Sequence, residues 1–239
     1  MKIFKKFLSL LIVFIVVTIF SACSDKENEP TISIPTSKSI TVGTSFSLGL
    51  SDNWRSSNEF VASVDGDGNV EAAHIGECTI SNGKNSCKVT VTPKSTFIKE
   101  PIREWGISKS QLISKCGSDY KESGNSIGYI STSSIAPIIM YTFDSNNRLS
   151  SSVIMVKTAY TSELVDFFTE RYQPVSVDGY DFYFTDGYTA QTISTAVCLS
   201  LYKYNTDFWM VLYMPYGSSS RSLDRMIDLP NILSNLIKE

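Results

Sequence analysis

Four residues, Ser200-Leu201-Tyr202-Lys203, have the types and spacing of a serine nucleophile with a lysine base three positions on. Acyl transfer by such a pair needs a helix, where positions i and i+3 share a face. Here the pair lies in the alternating run Ala196-Val197-Cys198-Leu199-Ser200-Leu201-Tyr202, which reads as a strand and sends Ser200 and Lys203 to opposite faces. Asp65, Asp67 and Asn69 have the spacing that opens a calcium loop. The sixth position of that loop is Val70, where glycine is needed for the turn, and the twelfth is Gly76, where a bidentate glutamate is needed, so a hairpin turn is expected. Asp178, Asp181 and Asp186 read as solvated residues at strand ends. His74 is the only histidine, which leaves a His-dependent triad or a multi-histidine metal site almost nothing to build on; an exposed surface position is expected. The chain has no glycine-rich phosphate loop and no C-x-x-C. No catalytic residue, no metal ligand and no cofactor is assigned, and a non-enzymatic protein is expected.

Cysteine chemistry has more to offer. Lys2, Lys5 and Lys6 precede an apolar run, residues 7–20, that is shorter than the roughly 20 residues a spanning helix needs and matches a secretory core segment. Ser21-Ala22 then stands before Cys23, and the charge begins at once with Ser24-Asp25-Lys26-Glu27-Asn28-Glu29. The arrangement resembles a bacterial lipobox, with Phe20 where leucine is usual. The resemblance implies a leader over residues 1–22 and acylation of Cys23, the new N-terminus. Two or three acyl chains, at about 0.8 kcal/mol per buried methylene, hold a protein to a membrane almost permanently. The acidic stretch 23–30 has no apolar side chain to bury and reads as a solvated tether. It resembles the export signal of lipoproteins on Bacteroidetes-type cell surfaces, which implies the outer membrane with the chain facing outward.

Without residues 1–22 the chain loses three lysines and no acids, leaving 18 basic and 24 acidic residues and a formal charge of −6. Nucleic acid is a poor partner for such a chain, because phosphates demand concentrated Lys and Arg. The length that remains suits one large or two small domains.

Residues 31–94 show short strands punctuated by turns, an all-β pattern. The stretch WRSSNEFVASVDGDGNVEAAHIGECTI, ending in CKVTVTP, resembles the bacterial Ig-like domain of group 2, the BIG2 type. The positions that carry the resemblance are Trp54, Ser56-Ser57-Asn58, Val61 to Asp65, Gly68, Gly76, Thr79-Ile80 and Val89 to Val91. It implies a two-sheet sandwich whose core holds Trp54, Val61, Val64, Val70, Ile80, Val89 and Val91. Within it, Asn82-Gly83 predicts a two-residue hairpin turn. Counting outward, Ser81 faces Lys84 and Cys78 faces Cys87 in a non-hydrogen-bonded pair, with Cα atoms about 4.5 Å apart. That spacing lies at the short end of what a disulfide accepts, and an exported protein meets an oxidising compartment. Cys78 and Cys87 are thus a candidate disulfide; both share the face of Ile80 and Val89, so two buried thiols are the competing state. Cys116 and Cys198 are expected to be reduced core residues.

Residues 96–239 have another rhythm, with Lys94-Ser95-Thr96 as a polar joint. Ser108 and Gln111 make a capping box, Ile107 and Leu112 a hydrophobic staple, and Gly117 a stop. Strands are predicted over 126–132, 138–143 and 149–156. A second helix follows over 162–172, capped by Thr161 and closed by Pro174, with the stripe Leu164, Phe167, Phe168 and Tyr172. Further strands are predicted over 180–185, 193–204 and 208–214. An amphipathic tail, 222–238, is interrupted at Pro230. A helix and a meander given twice, about 53 residues apart by the start of each, suggest an internal repeat. The pattern resembles the αββ repeat of β-lactamase inhibitor protein-like folds, carried by the helix that ends in Gly117 and by the segment from Tyr141 to Leu149.

The expected fold class is therefore an N-terminal all-β Ig-like sandwich and a C-terminal α+β domain with an antiparallel sheet and two or three helices. The expected function is that of a binding or adhesion module, anchored to the membrane by lipid, with the Ig-like domain as spacer. Tyr180, Tyr183, Tyr188, Tyr204 and Trp209 are the candidate contacts for a glycan or protein ligand. An inhibitor or assembly factor of the envelope is the alternative. Alternating aromatics on strands also serve as packing against covering helices, and a concave sheet lined with Tyr and Trp is what would distinguish capture.

Overall fold

The computed structural model describes residues 33–203 and 205–217. The leader 1–22, the tether 23–30 with Cys23, Tyr204 and the tail 222–238 lie outside the described residues.

Seven short strands come first: β1 (Ser37–Thr41), β2 (Ser45–Ser47), β3 (Arg55–Ser56), β4 (Ala62–Val64), β5 (Asn69–Ala72), β6 (Gly76–Ser81) and β7 (Ser86–Thr92). They form a four-stranded sheet, β1-β7-β6-β3, and a three-stranded sheet, β2-β5-β4. Only β1 and β7 among them run parallel. Both sheets alternate buried and exposed residues, and their inner faces meet in one core. Trp54, Val61, Val70, Ile80, Val89 and Val91 are buried there, with Val64 at its margin. Trp54 satisfies its indole N–H on the Leu50 carbonyl at 2.7 Å. The Asp65–Asn69 turn holds Gly68 at φ 78°, where a Cβ would sit 2.7 Å from the Leu50 oxygen. Only glycine fits that approach.

The rest of the chain builds one sheet of eight strands. Helix α1 (Lys109–Cys116) leads β8 (Lys121–Ser123), β9 (Ser126–Ile130), β10 (Ile138–Phe143) and β11 (Leu149–Lys157). Helix α2 (Thr161–Thr169) leads β12 (Gln173–Asp178), β13 (Asp181–Thr185), β14 (Thr195–Leu201) and β15 (Phe208–Pro215). Each helix thus heads a four-stranded meander, and the two meanders join last strand to last strand, in the order β12-β13-β14-β15-β11-β10-β9-β8. All pairs are antiparallel. The molecule is mostly β, with two short α-helices among the described residues.

The capping box at Ser108 forms on both sides, with the Gln111 backbone amide donating to Ser108 Oγ and the Ser108 backbone amide to the Gln111 side-chain Oε1. The second helix departs from its expected bounds. Thr161 is its first residue rather than its cap and its hydroxyl bonds back to the Thr158 carbonyl; Tyr160 caps without a side-chain bond. The helix stops at Thr169, so Tyr172 lies beyond it, and Pro174 sits inside a strand that the sequence did not predict. That strand is a sheet edge, bulged between Pro174 and Ser176, where a missing N–H is tolerated. Leu112 of α1 packs on Ile127, Tyr141, Phe143 and Leu149; Leu164, Phe167 and Phe168 of α2 pack on Ile154, Val197, Val211 and Tyr213. Both helices cover the same side of the sheet.

Candidate functional site

The structure disperses the aromatic residues expected to meet a ligand. Tyr180 stands at the turn between β12 and β13, 76% exposed. Tyr183 pairs with Cys198 across the sheet and faces away from the helices. Trp209 takes the opposite, helix-covered side; its indole N–H donates to Thr161 Oγ1 at 2.8 Å and its ring meets the Phe182 edge. Tyr188 belongs to neither group and packs edge-on against Phe60 and His74 of the N-terminal part. Tyr204 lies outside the described residues. The aromatic-lined concave sheet is not formed by these positions, because strand alternation divides them between two faces and the helices claim one of those faces.

His74 is also not where the sequence put it. It is buried, stacked on Phe60 with ring centroids 3.9 Å apart, and its Nδ1 lies 2.7 Å from the Phe60 carbonyl oxygen. Burial pulls its pKa below the usual value, against the smaller opposing effect of that hydrogen bond.

Beside His74 the structure assembles charged residues that are scattered in sequence. A cleft of about 330 Å³ opens between Asn58, Phe60 and Ile75 on one side and Arg103, Arg171 and Tyr172 on the other. Arg103 donates to Tyr172 Oη at 2.6 Å and to Glu100 at 3.0 Å, and the Tyr172 hydroxyl donates to the same carboxylate. Arg171 lies 3.6 Å over the Phe167 ring and donates to the carbonyls of Phe167 and Ser95 at 3.0 and 2.8 Å. Glu170 accepts from the backbone amides of Lys94 and Ser95, and its own carbonyl accepts from the Ile75 amide at 2.9 Å. Burial lowers the Arg171 pKa, only partly offset by the neighbouring carboxylates. At Arg103 burial acts in the same direction, but Tyr172, Glu100, Tyr213 and Asp186 together outweigh it and raise the pKa. Burial raises the phenols of Tyr172 and Tyr213 well above their usual range, so both remain hydrogen-bond donors at neutral pH. Tyr213 Oη lies close enough to Glu100 to feel its charge, yet no described group meets it in hydrogen-bond geometry.

Two guanidiniums here face three carboxylates, and each is already engaged. Asp186, the third, accepts from the amides of Ser194 and Thr195. The cleft holds no nucleophile beside a base; its chemistry is that of a joint, fastening Lys94-Ser95 to the end of α2. Ser200 lies in β14, and its Oγ is 3.3 Å from Cys198 Sγ, so the serine–lysine pair has no helical face to share. Asp65 caps its turn, accepting from Asp67 and Asn69, and those bonds, the Asn69 side chain first, lower its pKa. Among the described residues no three His, Cys, Asp or Glu side chains converge as metal ligands.

The Cys78–Cys87 bond is absent. The loop takes four residues, Asn82 to Asn85, with Ser81 facing Ser86, so Cys78 faces Val89 and Cys87 faces Ile80. Asn82 explains the difference: its side-chain oxygen accepts from the amides of Lys84 and Asn85, an Asx turn that outcompetes the two-residue turn. Cys78, Cys87, Cys116 and Cys198 are all free thiols, and burial raises the pKa of Cys78, Cys87 and Cys198. In sequence, the joint announced itself only by Glu170-Arg171-Tyr172, a charged pair and a tyrosine directly after an apolar helical stripe. No protein-family model matches the chain, and no curated protein does.

Proposed function

We propose that the chain is a non-enzymatic binding module, held by an acylated Cys23 to the outer face of a bacterial outer membrane. Residues 31–94 serve as a BIG2-type Ig-like spacer, and residues 96–239 meet a protein ligand. The observation that carries this reading is the hairpin of β12 and β13. Among the described residues it forms an edge of the large sheet, and it holds Val175, Val177 and Tyr180 in the open, at 62%, 63% and 76% exposure. An unpaired backbone edge with apolar side chains suits a protein partner better than a glycan, which favours a tyrosine or tryptophan platform. The two small sheets around one core, with Trp54 inside, support the Ig-like reading.

Location and binding are tested together. An impermeant protease on whole cells should remove residues beyond the tether, and Cys23→Ala should release the protein. Purified chain should bind members of a surface-protein array and lose them on Val177→Lys. Protection from protease in intact cells overturns the outward orientation; signals confined to glycans and insensitive to Val177→Lys overturn the protein ligand. The twofold repetition of a helix and a meander supports a second reading, an envelope inhibitor similar to the β-lactamase inhibitor protein-like folds. Inhibition of a purified class A β-lactamase would favour it.

A further inference from the structure

The eight-stranded sheet has a second face. Alternation places Met140, Val153, Leu212 and Cys198 there in one cross-strand row, with Met140 opposite Val153, Val153 opposite Leu212 and Leu212 opposite Cys198. The next row is Ile138, Met155 and Met210. Met140, Met155 and Leu212 are completely buried, and Val153 and Cys198 are 1% and 3% exposed. Yet this cluster consists of sheet residues and Tyr202; neither α1 nor α2 contributes a side chain to it. Burial fades toward one edge, where Ile130, the cross-strand neighbour of Ile138, is 69% exposed. The cover is therefore a stripe over the four central strands, about 15 Å across at about 4.8 Å per strand. A helix with its side chains is about 10–12 Å wide.

We propose that residues 218–239 lie along this stripe and complete the core. Strand β15 carries Met210, Leu212 and Met214 on the face in question and ends at Pro215, and Gly217 follows in a turn at φ 80°. Twenty-two residues remain beyond it. Leu223, Met226, Ile227, Ile232, Leu233, Leu236 and Ile237 recur at three- and four-residue spacing, while Asp224, Arg225 and Asp228 fall on the other side of the helical projection. Seventeen helical residues would extend about 26 Å, against about 27 Å for an eight-residue strand. The face itself suits a helix with one interruption at Pro230. Of the six methionines in the chain, Met140, Met155, Met210 and Met214 all lie on it, and flexible thioethers conform to irregular partners. This makes the tail a third layer of the fold and closes that face to any ligand.

The native methionines report on the cover. In the intact chain, peroxide should oxidise Met140 and Met155 at least tenfold more slowly than in the Leu233→Asp/Leu236→Asp variant or in a chain ended at Gly217. Unchanged protection in both variants overturns the proposal. So does protection in the intact chain that vanishes on dilution with a dimer-to-monomer transition, since a second copy would then be the cover. Loss of folding in the variants is bypassed by single cysteines in the otherwise native chain, at Met226, Leu233 or Leu236. At least one should form an intramolecular disulfide with Cys198 under mild oxidation. Links to Cys116 instead, which lies on the α1 side, would place the tail elsewhere and overturn the assignment.

Discussion

Tyr172 and Tyr213 are neighbours with ring centroids 6.2 Å apart, both deeply buried, yet their hydroxyls have opposite fates. Tyr172 Oη accepts from Arg103 and donates to Glu100; Tyr213 Oη lies near Glu100 but has no described partner in hydrogen-bond geometry. Removing a hydroxyl that bridges two partly buried charges costs about 1–3 kcal/mol, whereas removing an unpaired one relieves a desolvation penalty of similar size. Urea unfolding should therefore show Tyr172→Phe destabilised and Tyr213→Phe unchanged or stabilised. His74 adds a pH dependence. Its folded-state pKa is depressed, by burial first, so its neutral form contributes stability above about pH 6.5, the unfolded value, and this is lost as pH falls through the folded pKa. His74→Phe keeps a ring against Phe60 and removes the titration. Thermal melts from pH 7.5 to 5 should fall less steeply for that variant than for the native chain, and parallel curves would show that His74 does not carry the effect.

Among the elements, those that announced themselves had strong local signals. Ser108 and Gln111 specified a helix start because the cap is a local bond, and β10 lies where alternation put it because its inward residues have helices to pack on. Register was less legible. A two-residue or four-residue loop at Asn82-Gly83 differs only in which amides Asn82 captures, and that choice moves every pair across β6 and β7. Thiol titration in denaturant of a chain lacking Cys23 should consequently find four free thiols. Strand β12 was missed because Pro174 argued against any strand, whereas a bulged edge accommodates proline. His74 was misplaced because its burial depends on Phe60 and Tyr188, which local spacing does not bring together.

At the scale of the whole molecule, the polar joint Lys94-Ser95-Thr96 is tied rather than loose. Both Lys94 and Ser95 amides end on Glu170, Arg171 holds the Ser95 carbonyl, and Ile75 reaches the Glu170 carbonyl. Beyond the run Glu170-Arg171-Tyr172, nothing in the sequence signalled these bonds, since Lys94 and Ser95 lie 75 or 76 residues from their partners and Ile75 lies farther still from Glu170. Glu170→Ala removes the acceptor of two partly buried amides and a carboxylate beside Arg171, and should cost about 2–4 kcal/mol in chemical denaturation. Its loss should also let the two parts melt in separate steps; a single unshifted transition would show the joint to be dispensable. The parallel pairing of β1 with β7 has a mechanical meaning. A chain held at the proposed anchor would be pulled at Ser37 and, through the joint, at Thr92, which are opposite ends of one ladder. The five register pairs from Ser37–Lys88 to Thr41–Thr92 would then bear the load together, sliding past one another instead of opening one by one. The first part of the chain is thus built as a clasp that resists tension in shear, suited to a tether that must not unravel when its far end is pulled.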